Sequence, residues 1–192
     1  HLCYHPDHSC DIAKLGSPDN WRISRSRSKP PLVLAHRLIH YRYLTLSRNT
    51  TMTIPFHRDG FALPACQALL ALLSQEAEHT DLDLGRCTQL TFNFRNPGYS
   101  VEQGGVHPVE IRLIRGLDGW LFDYVTDFSY QGLGHDAELC KEIDFNFLDG
   151  EHTMLGWGPL RLAEARELFD IWQSNFIAYC RLECFSVTVA GD

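Results

Sequence analysis

Apolar and polar side chains alternate in five separate runs of the chain, and no other feature of the sequence constrains the fold as strongly. The runs are QLTFNFR, HPVEIRL, WLFDYVTDFSY, IDFNFLDG and CFSVTV. A period of two is typical of a β-strand with one packed and one solvated face. Because short loops connect most of these runs, the sequence predicts an antiparallel sheet.

The same alternation assigns side chains to the two faces of the sheet. In the longest run it places one set together, namely Phe122, Tyr124, Thr126, Phe128 and Tyr130. The opposite set is Leu121, Asp123, Val125, Asp127 and Ser129. Combined with the other runs, this predicts a polar face that carries Asn93, Arg95, Glu110, Arg112, Asp123, Asp127, Asp144 and Asn146.

Two stretches have the pattern of helices instead. PACQALLALLSQEAE is rich in helix formers, with Pro64 near its start, and predicts a helix over 63–79. GPLRLAEARELFDIWQSNFIAYC predicts a second helix over 160–180. Its apolar side chains recur every three or four residues and are expected to cover the packed face of the sheet: Leu162, Ala165, Leu168, Phe169, Trp172, Phe176 and Tyr179. The sequence therefore indicates an α+β fold.

Charge divides the chain unevenly. Residues 1–51 hold eight Lys or Arg against three Asp, a net charge of +5, whereas residues 52–192 carry a net charge of −12. The first part also lacks a sustained hydrophobic period. We therefore predict a basic, poorly patterned extension over 1–51 and a single α+β domain over 52–192. Because Met52 opens the patterned part, we further hypothesise that natural translation begins there.

Composition and length limit the classes of protein that need to be considered. The chain is 44% hydrophobic and 21% charged, which is typical of a globular domain. No apolar run is long enough to span a bilayer, and no secretory signal is visible, so we expect a cytoplasmic protein without membrane contact. The acidity of residues 52–192 makes nucleic acid an unfavourable partner, and the basic stretch 22–29 is expected to be a solvated tail.

Candidate metal ligands occur near the start of the chain. They are Cys3, His5, His8 and Cys10. Zinc ligands are usually arranged as two pairs separated by a loop, and the spacing of these four residues is too tight for that arrangement. The later cysteines lack paired spacing, and no nucleotide-binding or nucleophile-elbow motif is found. We therefore expect no metal and no cofactor.

The segment NPGYSVEQGGVHP, residues 96–108, separates the first two alternating runs. Asn-Pro-Gly is typical of a turn, and further glycines follow. We interpret the segment as a shaped loop. Its Tyr99 and His107 are expected to contribute to a partner or subunit interface.

The polar face admits two interpretations. Asp123 and Asp127 are four residues apart, about 13 Å along a strand, so they cannot act as a catalytic pair with each other. The favoured interpretation is solvated charge, with Arg95 and Arg112 balancing the neighbouring acids. The alternative is a hydrolase-like enzyme that uses a carboxylate such as Glu110 or Asp127 with His107.

Several blocks in order carry a family resemblance. They are LTFNFRNPGYSVEQGGVHPVEIRL, WLFDYVTDFSYQG, ELCKEIDFNF and EARELFDIWQSNFIAYC. Over roughly residues 88–190 the chain resembles the bacterial domain of unknown function family 2787; residues 1–51 have no place in that pattern and 52–86 match it loosely. The resemblance implies a fold like that of the mitochondrial acidic matrix proteins, of the gC1q-receptor type: a twisted antiparallel sheet with helices, assembled as a ring. It implies no catalytic residues.

Two hypotheses about function follow. The preferred one is a non-enzymatic acidic binding or scaffold module that forms a homo-oligomer and attracts basic protein partners. Its binding residues would be Arg95, Tyr99, His107, Glu110, Arg112, Asp123, Asp127 and Asp144. The alternative is the hydrolase-like enzyme.

Overall fold

A computed structural model describes residues 54–57 and 62–192 of the chain. The predictions that concern Cys3, His5, His8, Cys10 and the basic stretch lie outside the described residues, as does the hypothesis about Met52. The division of the chain after residue 51 is likewise untested and stays a prediction.

The elements follow one another as the alternating runs predict, with additions near the second helix. Helix α1 spans Gln67–Glu78 and helix α2 spans Arg166–Arg181. The strands are β1 Gln89–Arg95, β2 Val109–Arg115, β3 Trp120–Gln131, β4 Glu138–Asn146, β5 Glu151–Met154, β6 Leu160–Arg161 and β7 Ser186–Gly191. Short 3₁₀ helices occupy Gly134–Asp136 and Leu162–Ala165.

All seven strands form one antiparallel sheet, with the order β6-β5-β4-β3-β2-β1-β7. Consecutive strands are neighbours from β1 to β6, and β7 returns after α2 to pair with β1 on its free side. The predicted α+β class with an antiparallel sheet is confirmed.

The core lies between one face of the sheet and the two helices. Phe92 and Phe94 of β1 and Phe145 of β4 are fully buried on that face. The ring of Phe94 meets Phe176 of α2 edge to face, with centroids 4.8 Å apart. Such pairs contribute about 0.5–1.5 kcal/mol beyond the buried area. The aromatic stripe predicted on the second helix is therefore the part of that helix that packs on the sheet.

The second helix begins later than predicted. Leu160 and Arg161 pair with β5 as a strand, and the backbone N–H of Leu162 donates to the carbonyl of Gly150 at 2.7 Å. Because the backbone groups of residues 160–162 are hydrogen-bonded to β5 and to Gly150, the regular α-helix starts only at Arg166. Tyr179, predicted to be part of the packed stripe, is 40% exposed.

The faces of β3 also differ from strict alternation. Arg112 lies opposite Tyr124, but Leu113 lies opposite Phe122, so Asp123 has no partner on β2. An extra residue of this kind is a β-bulge, and it reverses the alternation beyond it. Phe122 and Val125 consequently both face the core. The prediction that put Val125 and Phe122 on opposite faces was wrong.

A second irregularity lies between β3 and β4. Asp127 is opposite Ile143 while Phe128 is opposite Lys141, so Glu142 is the additional residue. The first irregularity lies at Asp123 of β3 and the second lies between Asp127 and Phe128 of the same strand. They bring Asp127 and Glu142 to positions that a regular ladder would not give them.

The segment Ile54–His57 completes one end of the core. Phe56 forms a parallel bridge with Trp120, and Trp120 N donates to the Pro55 carbonyl at 2.7 Å. Ile54 is 1% exposed and Phe56 is 8% exposed. This segment is therefore part of the folded domain.

No helix within the described residues has the length and apolar character needed to cross a membrane. The five cysteines in the same part of the chain are free thiols, so Cys180 and Cys184 do not form a disulfide.

Candidate functional site

Three titratable side chains from three separate segments meet at one point of the structure. His107 ends the loop before β2, Asp127 lies in β3, and Glu142 is the additional residue of β4. His107 Nδ1 is 3.1 Å from Asp127 Oδ1 and 2.9 Å from Glu142 Oε2. We call these three residues the His107 cluster.

Trp172 of α2 fixes the other side of the Asp127 carboxylate. Its indole Nε1–H donates to Asp127 Oδ2 at 3.2 Å. Since Trp172 is buried and its ring stacks on Phe176 with centroids 5.0 Å apart, the donor has little freedom to move. The core thus positions one carboxylate of the cluster.

The charges in the cluster do not balance. An imidazole Nδ1 carries at most one hydrogen, and here it serves Asp127. Glu142 Oε2 is close to the same nitrogen but is hidden from solvent without a hydrogen-bond donor. Even with His107 protonated, the two carboxylates leave a net charge of −1.

The environment of His107 favours its charged form. The hydrogen bond with Asp127 raises the pKa of His107 above its ordinary value of 6.5. Burial opposes this shift, while the charges of Asp127 and Glu142 add to it. The carboxylates outweigh the loss of hydration, as expected for a histidine between two acids.

A cavity of about 280 Å³ opens beside the His107 cluster. One wall is α2, from which Ile171 and Tyr179 project with exposed fractions of 61% and 40%. The other walls include the His107 loop, β3 and β4, with Gly105, Val106, Val109, Ile143 and Phe185 in the lining. The result is a groove whose acidic lining residue is Asp127, next to His107, and whose other lining side chains are mostly apolar.

Tyr99 supports the loop that carries His107. Its ring stacks on Tyr130, with centroids 5.3 Å apart, and lies at the same distance from the His107 ring. Its hydroxyl accepts a hydrogen bond from the Tyr130 backbone N–H at 3.1 Å. The half-buried Tyr99 therefore holds the loop against the end of β3.

The opposite face of the sheet carries the remaining predicted site residues, and they contact one another. Glu110 accepts a hydrogen bond from the Tyr124 hydroxyl at 2.7 Å. Burial and this carboxylate raise the pKa of Tyr124 to about 12. The Arg112 guanidinium is 3.3 Å from Asp123. Most of the charge on this face is internally paired.

Arg95 and Asp144 are engaged on the same face. Arg95 donates to the Asn93 side chain at 3.1 Å, and its guanidinium lies over the Phe128 ring, 5.6 Å from the centroid. Asp144 accepts from the Thr126 hydroxyl and pairs with Lys141 at 3.1 Å.

The predicted catalytic set does not come together. Asp127 shares the core-side face with its cross-strand partners Val109 and Ile143, whereas Glu110 lies on the other face with Thr126. The bulge at Asp123 is the reason, because it moves Asp127 to the side opposite the one predicted. The structure therefore places Glu110 on the face opposite the one on which Asp127 contacts His107.

Two members of the site were missed from the sequence. Glu142 carries no signal, because its position depends on an irregularity that only strand pairing reveals. Trp172 was assigned to the core alone, although a buried indole N–H usually requires an acceptor. That requirement was the one available indication that α2 reaches a polar group.

Comparison with known proteins identifies a family and similar solved structures. A family model described as "Protein of unknown function (DUF2787)" matches residues 67–190. The structure of a hypothetical protein from the VSP-II pathogenicity island of Vibrio cholerae is 31% identical, with a TM-score of 0.65, over 72% of this chain and 100% of that one. No match was found among curated proteins.

A second structure from the same organism is also similar. It is a conserved hypothetical protein from the pathogenicity island VPI-2 of Vibrio cholerae, 34% identical, with a TM-score of 0.59, over 69% of this chain and 98% of that one. That protein is described as sharing structural homology with the human P32 protein. The predicted likeness to the gC1q-receptor type of fold is confirmed.

Proposed function

Since the chain belongs to the family described as protein of unknown function (DUF2787), with a fold like that of P32, we propose that it is a non-enzymatic binding module for a basic protein segment. The segment lies in the groove beside α2. The observation that carries the proposal is the His107 cluster, in which two carboxylates share a single histidine nitrogen at the edge of an apolar cavity.

Charge supports a cationic ligand. Asp127 and Glu142 together carry two negative charges against at most one on His107, so an ammonium or guanidinium group would complete the balance. The acids on the opposite face are already paired with Arg112, Lys141 and the Tyr124 hydroxyl. The net charge of −12 over residues 52–192 would also steer basic partners toward the domain.

The apolar wall supports a peptide rather than a small cation. Ile171 and Tyr179 project into solvent from α2, about two helical turns apart. Both line the cavity with the half-buried Phe185. A segment with an apolar side chain beside its Lys or Arg would cover these groups while its charge meets the carboxylates. Interfaces commonly combine an apolar contact with a charged one in this way.

Titration calorimetry with short peptides tests the proposal. The peptides carry one Arg beside apolar residues, and the matched control peptides carry Gln in place of the Arg; EDTA is present throughout. We expect binding to the Arg peptides that weakens with salt and falls about tenfold in Asp127→Asn or Glu142→Gln.

Asp118→Asn is the control variant. Asp118 lies in the exposed turn before β3 and its change removes the same charge at the far end of that strand. If all three variants weakened peptide binding equally, the loss of affinity would be explained by the change in net charge alone. Equal affinity for Arg and Gln peptides would remove the proposal.

A second candidate function keeps the hydrolase-like alternative in altered form. The 3.1 Å contact of His107 Nδ1 with Asp127 would orient the histidine as a general base for water. One fact weighs against it. A base must be unprotonated to accept a proton, and the hydrogen bond with Asp127, with the charges of the two acids, raises the pKa of His107. Turnover of a simple ester that disappears in His107→Asn would favour it.

Self-association is part of the proposal as well. Exposed apolar side chains gather near the β6 edge of the sheet, where Leu155, Trp157 and Leu160 are 46%, 71% and 43% exposed. A second copy of the chain is the occupant we propose. Light scattering at low and high salt measures the mass, and a monomer under both conditions would contradict this part.

A further inference from the structure

We infer that the His107 cluster is a binding site for a divalent transition-metal cation, with His107 Nδ1, one Asp127 oxygen and one Glu142 oxygen as ligands. The three ligand atoms lie within 4.8 Å of one another. This inference uses residues of the proposed peptide groove but does not rest on that function.

The spacing of the three atoms suits an ion. Nδ1 is 3.1 Å from Asp127 Oδ1 and 2.9 Å from Glu142 Oε2. A metal ion with bonds of about 2.0–2.2 Å holds adjacent ligand atoms roughly 3 Å apart. The two distances to Nδ1 fit this spacing, and the two carboxylate oxygens, within 4.8 Å of each other, would adjust to the ion once Nδ1 is free of its hydrogen.

Two further observations point to a cation rather than to a simple ion pair. Glu142 Oε2 is itself hidden from solvent, although the Glu142 side chain is 37% exposed, and it accepts no hydrogen bond while lying 2.9 Å from the His107 nitrogen that bonds Asp127. A carboxylate oxygen in this state is unfavourable, and a cation would satisfy it. Asp127 Oδ2 is held by Trp172 Nε1–H at 3.2 Å, which is the kind of outer hydrogen bond that orients metal-binding carboxylates.

The ligand set indicates the class of ion. One imidazole with two carboxylates suits Mn²⁺ or Zn²⁺, because Ca²⁺ and Mg²⁺ are bound mainly by oxygen. The cavity beside the cluster leaves one side open, so water or a ligand group would complete the coordination. An ion bound there would use the same carboxylates as an arginine of a bound peptide. Metal and basic segment would then exclude each other.

Mn²⁺ is the probe of choice for the full chain. It favours carboxylate ligands, which are two of the three here, over thiolate, so it discriminates against the cysteine-containing N-terminal residues. The chain is first freed of metal with a chelator, which is then removed, and Mn²⁺ is added without peptide. Electron paramagnetic resonance measures the Mn²⁺ that stays free in solution. We expect binding that falls at least about tenfold in Glu142→Gln and in His107→Asn, and that is unchanged in Asp118→Asn.

A second measurement guards against variants that fold poorly. Bound Mn²⁺ broadens the imidazole resonances of a histidine that ligates it, so we expect selective broadening of His107 in the unmutated chain. Binding that persists unchanged in Glu142→Gln, or the absence of broadening at His107, would overturn the inference. Because the peptide experiment contains EDTA and the Mn²⁺ experiment contains no peptide, failure of one leaves the other outcome readable.

Discussion

Trp172 Nε1–H donates to Asp127 Oδ2 at 3.2 Å, and this bond links the packed face of α2 to a charged side chain of β3. Both partners are largely removed from water, Trp172 being 6% exposed and the Asp127 side chain 16% exposed. The bond thus joins the core to the His107 cluster. We therefore expect substitutions in the cluster to change the stability of the core, and substitutions in the core to change the cluster.

Trp172→Phe tests this link. The substitution keeps an aromatic ring and removes the donor, so the free energy of unfolding should fall by about 1.5–3 kcal/mol, as for loss of a hydrogen bond to a charged group. Urea denaturation measures the change. Leu117→Ala is the surface control, because Leu117 is fully exposed in the turn before β3, and it should change stability by less than about 0.5 kcal/mol.

A double-mutant cycle with Asp127→Asn separates the bond from packing. If Trp172 and Asp127 interact as described, the two substitutions should be non-additive by about 0.5–3 kcal/mol. Additive effects would mean that the bond contributes nothing and that Trp172 acts through packing alone.

The titration of His107 gives a prediction about pH. The hydrogen bond with Asp127 raises the pKa of His107 above 6.5, so the protonated histidine stabilises the fold fully below the unfolded pKa. That contribution is lost as pH rises through the folded value. NMR titration with chelator present should show a midpoint above 6.5 that falls in Asp127→Asn. A midpoint that does not respond to this substitution would contradict the described contact.

Tyr124 should ionise late. Burial and the Glu110 carboxylate raise its pKa to about 12, so the ultraviolet absorbance of phenolate should show one group titrating after ordinary tyrosines. Glu110→Gln should lower that pKa, because the negative charge that opposes ionisation is removed. Tyr124→Phe should remove the late step altogether. A late step that survives in Tyr124→Phe would belong to another tyrosine.

Gly119 should not tolerate a side chain. A Cβ built there would lie 2.6 Å from the Pro55 carbonyl oxygen, and the φ angle of +143° is unfavourable for other residues. Gly119→Ala should reduce the free energy of unfolding by about 1–3 kcal/mol. Gly158→Ala, where the Cβ meets nothing within 4 Å, is the control. Equal effects would show that the Pro55 contact is not maintained in solution.

The alternating pattern predicted the strands well because it depends on one face being packed. QLTFNFR became β1 with the predicted bounds and faces. The pattern failed in β3, since Asp123 and Glu142 are additional residues only in relation to their neighbouring strands. The sequence of a single strand does not reveal which of its residues will lack a partner on the neighbouring strand.

The candidate site was only half predictable for the same reason. His107 and Asp127 were both selected as polar residues near strands, but their contact joins residues twenty positions apart. Strict alternation put Asp127 on the other face with Glu110. The third member, Glu142, and the indole of Trp172 depend on the bulge and on helix packing respectively.

Ile54 and Phe56 precede the first residue of the family match at 67, yet both belong to the core. Phe56 stacks on Phe122 with centroids 6.0 Å apart and is bridged to Trp120. A chain shortened to begin at residue 67 would lack Phe56 and would expose the rings of Phe122 and Trp120 at the end of the sheet. The folded core of this protein therefore begins before the residue at which the family match begins.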